Sequence, residues 1–210
     1  SFFGYFQRTY TPQEKNNLTA IADRLIEDTD RRNNGDFWTP TLFVDYAHKM
    51  ISEQLGENWK DEYVVWDNCC GSKNLTRDYK FKELYCSTLE QSDIDTANQM
   101  GYNMEATKFQ FDFLNDSDDK LPRGLQDAIE SGKEMLFLIN PPYIKATPNK
   151  GNENTGISDT IIGKEMNDKK FGIASSQLST QFIYKIIKLQ EKNKNIKIGI
   201  FNKPNYMTSD

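Results

Sequence analysis

Met135-Leu136-Phe137-Leu138-Ile139-Asn140-Pro141-Pro142-Tyr143 is the stretch on which the reading of this chain turns. The unbroken apolar run Met135–Ile139 reads as a strand buried on both faces. It stops abruptly at an amide, two prolines and an aromatic. Each proline removes a backbone donor and fixes a φ angle, so the turn is rigid. The strand delivers Asn140 to the carboxyl end of a sheet, where open α/β folds place their ligands. The Asn140 side-chain oxygen and the Pro141 carbonyl can both accept hydrogen bonds, enough together to hold an exocyclic NH2 group. Tyr143 offers a flat face on which a base can stack.

Outward from this strand the chain alternates. Residues 63–66, 83–87, 109–111, 135–139 and 196–201 read as strands, and residues 124–131 and 174–191 as helices. Alternation of this kind implies a parallel sheet covered on both sides, an open α/β fold. Two helices precede it. One spans 12–30, with Thr11 as cap, Pro12 at its first position, and Leu18, Ile21, Leu25 and Ile26 on one face. The other opens at Thr39-Pro40 by the same logic, carries Phe43, Ala47, Met50, Ile51 and Leu55, and ends at Gly56. Residues 144–171 show no period and are rich in Asn, Gly, Lys and Thr. They are expected to form a mobile loop that orders only on a partner.

The composition narrows the function classes. With 37% hydrophobic and 27% charged residues over 210 positions, the chain is polar but long enough for a sizeable core. No apolar run approaches the roughly 20 residues of a membrane span. Cys69, Cys70 and Cys86 have no metal-ligand spacing, and their odd number argues against a disulfide framework, which fits a reducing cytoplasm. The single histidine, His48, excludes a His-rich metal site.

Four further motifs stand in chain order before the proline pair. Phe37-Trp38-Thr39-Pro40 opens a helix, whose N-terminus is a natural carboxylate site. Asp67-Asn68-Cys69-Cys70-Gly71-Ser72-Lys73-Asn74 follows the first strand as an acid, small residues and a glycine, a shape that lets backbone approach a ligand closely. Cys86-Ser87-Thr88-Leu89-Glu90 ends the second strand, where this fold needs an acceptor for two ribose hydroxyls. Asp112-Phe113 follows the third.

This series resembles the S-adenosylmethionine-dependent N6-adenine DNA methyltransferases of restriction-modification systems, in their gamma-type motif order. The resemblance covers residues 37–143 through its motifs and, through the next helix and strand, most of the chain. It implies a Rossmann-like methyltransferase sheet over residues 37–210 after an N-terminal helical segment, 1–36. It implies that Thr39 and Pro40 hold the cofactor's carboxylate end, and that Asp67, Cys70, Gly71 and Ser72 form the cofactor loop. Counting puts Thr88 at the commonest position of the ribose acid and Glu90 two residues further on; Glu90 is the acid expected to serve. Asp112 would accept from the cofactor's adenine amino group while Phe113 packs on its ring. Asn140, Pro141, Pro142 and Tyr143 would hold the target adenine, flipped out of double-stranded DNA, with Ser179 and Phe182 lining the target side. Lys73 departs from the family, which has glycine there.

The family's final strands and its target-recognition domain have no counterpart in the chain, so a catalytic fragment, nearly inactive alone, is expected. The net charge of -5 points the same way, because duplex affinity rests on Lys and Arg neutralising phosphates. A specificity or restriction subunit would be the protein partner. Protein-glutamine and ribosomal-RNA adenine methyltransferases share Asn-Pro-Pro-Tyr and remain alternatives, as does a non-catalytic interaction module that keeps the fold.

Overall fold

A computed structural model describes residues 39–71, 73–142 and 160–202, together with Thr11. The chain divides into two units, Ser1–Phe37 and Trp38–Asp210. Apart from Thr11, every described residue belongs to the second unit. The helix expected over 12–30 lies outside the described residues.

The elements run α1 (Thr41–Leu55), α2 (Trp59–Glu62), β1 (Val64–Asp67), β2 (Glu83–Thr88), α3 (Gln91–Gln99), β3 (Thr107–Gln110), α4 (Arg123–Glu130), β4 (Met135–Ile139), α5 (Ile161–Asp168), α6 (Leu178–Lys192) and β5 (Ile196–Ile200). Among the described residues the five strands form one sheet in the order β3-β2-β1-β4-β5, and every pairing is parallel. This is an open, Rossmann-like α/β sheet. The strand order reverses between β1 and β4, so the loops leaving those two strands flank the crevice where such sheets bind ligands.

The continuous apolar character of β4 follows from its two packed faces. Met135, Phe137 and Ile139 enter one core with Trp66, Phe113, Leu125, Ile129, Met166, Phe182 and Ile186. Leu136 and Leu138 enter the other with Val44, Trp59, Val65, Leu84 and Cys86. Successive residues of a strand point to opposite faces, so neither face of this strand tolerates a polar residue.

Two expectations about the helices are corrected. On α1 the inward positions are Val44 and His48, while Phe43 and Met50 are 58% and 49% exposed; Ile51 and Leu55 do pack against the core. The face is set by an aromatic cage around His48, which stacks on Tyr79 at 3.7 Å and meets Trp59 at 5.3 Å and Phe81 at 6.1 Å. The second correction concerns residues 144–171. Residues 144–159 lie outside the described ones, but 161–168 form α5, with Ile162, Gly163 and Met166 buried. Thr160 caps it, accepting from the Gly163 N–H at 2.8 Å and donating to Gln181 Oε1 of α6 at 2.5 Å. Gly163 is needed because a Cβ there would sit 2.8 Å from Gln181 Nε2 and 2.9 Å from Thr160 Oγ1. Residues 160–168 are thus a packed helix and its cap, not a loop awaiting DNA.

His48 also makes stability depend on pH. Its Nε2–H donates to the Leu75 carbonyl at 2.9 Å, and burial, above all, lowers its pKa from 6.5 to about 4. The folded state therefore binds fewer protons than the unfolded chain between about pH 6.5 and pH 4, so this contribution is present above that window and lost on acidification through it. Between pH 7 and pH 5 the loss should be on the order of 2 kcal/mol. Urea unfolding at both pH values should show that loss in the wild type and not in His48→Gln. Equal pH dependence in the two proteins would exclude a neutral, buried His48.

Candidate functional site

The first and last motif segments meet beside the carboxyl ends of the neighbouring strands β1 and β4. Asn140 directly follows β4, and its Nδ2 donates to Thr39 Oγ1 at 2.7 Å, across 101 residues of sequence. Thr39 is buried and Asn140 half-buried. Contrary to the expectation from sequence, Thr39 does not cap α1. The cap residue is Pro40, whose carbonyl accepts from the Phe43 and Val44 amides at 3.0 and 3.2 Å, and no side-chain cap bond forms. The threonine hydroxyl is instead turned to the asparagine. Pro141 is buried and Pro142 half-buried at the start of the rigid turn; Tyr143 lies outside the described residues.

The loop after β1 is tied to β2 by the Cys70 amide, which donates to the Ser87 carbonyl at 2.9 Å. Gly71 has φ +41° and open space where a Cβ would stand, so backbone conformation, not crowding, selects glycine. Ser72 lies outside the described residues. Asp67, Asn68, Lys73 and Asn74 carry buried polar side-chain atoms that lack a well-formed hydrogen bond: both Asp67 oxygens, both Asn68 amide atoms, Lys73 Nζ and Asn74 Oδ1. Buried polar atoms are nearly always satisfied, so these side chains make the tip of β1 a polar spot within an otherwise apolar core. Burial pushes the Asp67 carboxyl well above the usual carboxylate range, aided by Cys86 and opposed by the Lys73 ammonium and the Cys69 N–H.

Cys70 contributes to this loop through its backbone. Its thiol is buried in the core and hydrogen-bonds to Cys86. That contact and burial push the Cys70 thiol up, while the same contact, with Lys73 and Thr76, brings Cys86 down to about 7. Lys73 itself is fully buried at φ +60°, a left-handed conformation that costs a lysine more than a glycine.

At the tip of β2, Glu90 is exposed at the N-terminus of α3 and makes no side-chain cap bond. Thr88 is buried and donates to Asp93 Oδ2 at 3.0 Å, so it is a fixed structural hydroxyl, and Asp93 is a second acid near this tip. No sequence signal singled out Asp93, which sits inside a helix.

The loop after β3 departs furthest from expectation. The Asp112 carboxylate accepts from the Leu114 and Asn115 amides, each at 3.1 Å, and from Asn115 Nδ2 at 2.8 Å. Three of its roughly four acceptor positions thus serve its own turn. The Phe113 ring is buried, stacked on Phe182 at 5.2 Å and edge-on to Trp66 at 5.5 Å. Both phenylalanines are core residues, and Ser179 is likewise buried. Lys185 of α6 pins the same loop. Its ammonium donates to the Asp116 carbonyl at 2.9 Å, pairs with Asp118 at 3.6 Å and lies 5.0 Å from the Phe113 ring centre.

Among the described residues no group of three or more His, Cys, Asp or Glu could hold a metal, and no helix is long and apolar enough to cross a membrane.

No family model matches the chain, and no curated protein does. Solved structures resemble it, among them these two. One is a cryoEM structure of a DrdV–DNA complex, at 15% identity and TM-score 0.48, covering 74% of this chain and 19% of that one. The other is the methyltransferase subunit of a type I restriction-modification system from Streptococcus thermophilus, at 16% identity and TM-score 0.46, covering 78% of this chain and 34% of that one. The chain therefore spans well under half the length of either of these structures.

Proposed function

We propose that this chain carries the methyl-transfer site of an S-adenosylmethionine-dependent N6-adenine DNA methyltransferase of the restriction-modification type. Residues 37–210 form its catalytic domain and residues 1–36 an N-terminal helical segment. The observation that carries this reading is the convergence of Thr39, the Asp67–Asn74 loop and Asn140 at the sheet's switch point, in the motif order of that family. The unsatisfied buried groups at Asp67, Asn68 and Asn74 fit a polar cofactor there. Those residues, with the backbone around Gly71, would hold its methionine end, and Glu90 its ribose.

When bound, the cofactor supplies an electrophilic methyl group. The protein's part is to prepare the amine. The lone pair of an adenine amino group is delocalised into the ring. Asn140 Oδ1 and the Pro141 carbonyl would accept hydrogen bonds from its two N–H groups and draw the nitrogen toward a tetrahedral geometry, freeing the lone pair to bond the methyl carbon as the methyl–sulfur bond breaks; the methylated nitrogen then loses one N–H proton to water. Tyr143 stacks on the base, which must leave the duplex to reach the site. No covalent nucleophile is required, in keeping with the burial of Cys70 and Cys86. Double-stranded DNA is the substrate, and a specificity or restriction subunit the protein partner.

Calorimetry with S-adenosylmethionine, and tritium transfer from it to adenine-containing DNA by the intact parent protein, test the reading. Transfer to a protein glutamine or to ribosomal RNA instead would move the assignment to a sister amino methyltransferase. Absence of cofactor binding would favour the non-catalytic alternative. Lys73 is the feature that supports that alternative, because its side chain fills buried space beside the cofactor loop. On the catalytic reading, Lys73→Gly should tighten cofactor binding by releasing the left-handed strain at a close-approach position. Weaker binding would make Lys73 a ligand.

A further inference from the structure

We infer that Cys70 and Cys86 are a redox-sensitive pair, which a small hydroperoxide joins in a disulfide that pins the loop after β1 to β2 and weakens cofactor binding. The pairing stands on the geometry of the thiols; its effect on the cofactor rests on the function proposed above. In the parallel β1–β2 pair Asp67 stands opposite Cys86. The Cys70 amide then donates to the Ser87 carbonyl at 2.9 Å, so the loop folds back along β2 beside Cys86. Alternation along β2 sends the Ser87 side chain to the other face, where its hydroxyl accepts from Trp66 Nε1 at 3.0 Å. Cys86 faces the layer that holds Val44, Trp59 and Leu75, and Cys70 enters the same layer. The two thiols meet there as hydrogen-bond partners. Cys69, next to Cys70 in sequence, packs against the opposite layer. The fold thus selects one pair from three cysteines, none of which is in a disulfide.

The surroundings suit the chemistry, in which a thiolate is the nucleophile. The Cys70 contact, with the Lys73 ammonium and the Thr76 hydroxyl 4.0 Å away, brings Cys86 down to about 7 against the opposing effect of burial. The Cys86 thiolate attacks one oxygen of the hydroperoxide, the O–O bond breaks, and Cys86 becomes a sulfenic acid. The proton that Cys86 gave up returns to the departing oxygen. The Cys70 sulfur then attacks the sulfenyl sulfur, the S–O bond breaks, and hydroxide leaves as water with the Cys70 proton. Two thiols and one hydroperoxide give one disulfide, one water and one alcohol, or a second water from hydrogen peroxide itself. Cys86 is fully buried and Cys70 is 7% exposed, so the oxidant must be small: hydrogen peroxide suits the pair and glutathione disulfide does not. Closing the bond draws Cys70 toward β2, beside Gly71 at φ +41° and Lys73 at φ +60°. It also removes the thiolate that faces the buried Lys73 ammonium. Both changes displace the backbone of the cofactor loop.

The experiment treats the folded chain with hydrogen peroxide or with glutathione disulfide. The remaining thiols are alkylated after denaturation and counted by mass, and linked tryptic peptides are mapped. Peroxide should leave only Cys69 free in the wild type and no free thiol in Cys69→Ser, with Cys70 linked to Cys86 in both. Glutathione disulfide should leave Cys70 and Cys86 unlinked. In peroxide-treated Cys69→Ser the S-adenosylmethionine Kd should rise about 10-fold, the worth of one hydrogen bond, and return on reduction with dithiothreitol. If Cys69→Ser does not fold, fragmentation of the linked wild-type peptides and the wild-type Kd make the same comparison. Unlinked Cys70 and Cys86 after peroxide, a link through Cys69, or equal linking by glutathione disulfide overturns the pairing. A formed link with unchanged Kd overturns the switch. Reduced wild type that binds no S-adenosylmethionine overturns the functional reading, and with it the effect on the cofactor, while the thiol map still decides the pair.

Discussion

In the intact parent protein, Asn140→Ala should abolish measurable methyl transfer while cofactor affinity stays at the wild-type value. Asn140 stands at the tip of β4 with its amide bonded to Thr39, in place to act on the target amine and not on S-adenosylmethionine. Removing one preorganised hydrogen-bonding group from a site where charge develops typically costs about 100- to 1000-fold in kcat. The fold should survive, because Asn140 is only half-buried and the strand before it keeps its packing. Titration calorimetry with S-adenosylmethionine and a single-turnover tritium assay separate the two quantities. Undiminished transfer would remove Asn140 from the chemistry and with it the functional assignment. Lost cofactor binding would mean that Asn140 is a cofactor ligand.

The largest effect on stability is expected at Phe137, the middle of β4. Its ring is fully buried, 4.9 Å from Trp66 and 6.3 Å from Phe113, at the meeting point of the sheet with α5 and α6. Phe137→Ala removes the ring and leaves a cavity among rigid aromatic neighbours that cannot collapse to fill it. A loss of about 3–5 kcal/mol follows from that combination, a large part of the roughly 5–15 kcal/mol that holds a typical domain together. Urea unfolding of the variant should show a midpoint far below wild type. A loss under about 1 kcal/mol would contradict the packing described for this face.

Much of the architecture was legible in the amino-acid order because the signals for it are local. Residues 63–66 and 135–139 read as strands of a sheet covered on both faces, since a strand with two buried sides is apolar along its length. The break after Ile139 was equally plain, because proline removes backbone donors wherever it stands. Helix α5 was missed for a matching reason. Its eight residues include a glycine and few periodic apolar positions, and what holds it is a cap threonine bonded to Gln181 on another helix. Only contact with α6 makes that glycine favourable.

The site divides along the same line. The sequence by itself determined which residue types arrive at the sheet's carboxyl end, because each motif is a strand tip read from its own neighbours. Tertiary structure alone decided what those side chains do there. It turned Thr39 from the helix it precedes to an asparagine 101 residues away. It engaged Asp112 in its own turn, sank Phe113 against Phe182, and faced α1 inward by Val44 and His48. Hydrogen bonds and ring packing act over a few ångströms in space, whatever the separation in sequence. A period or a motif can therefore place such residues at a strand tip or on a helix, and only the folded neighbours choose their partners.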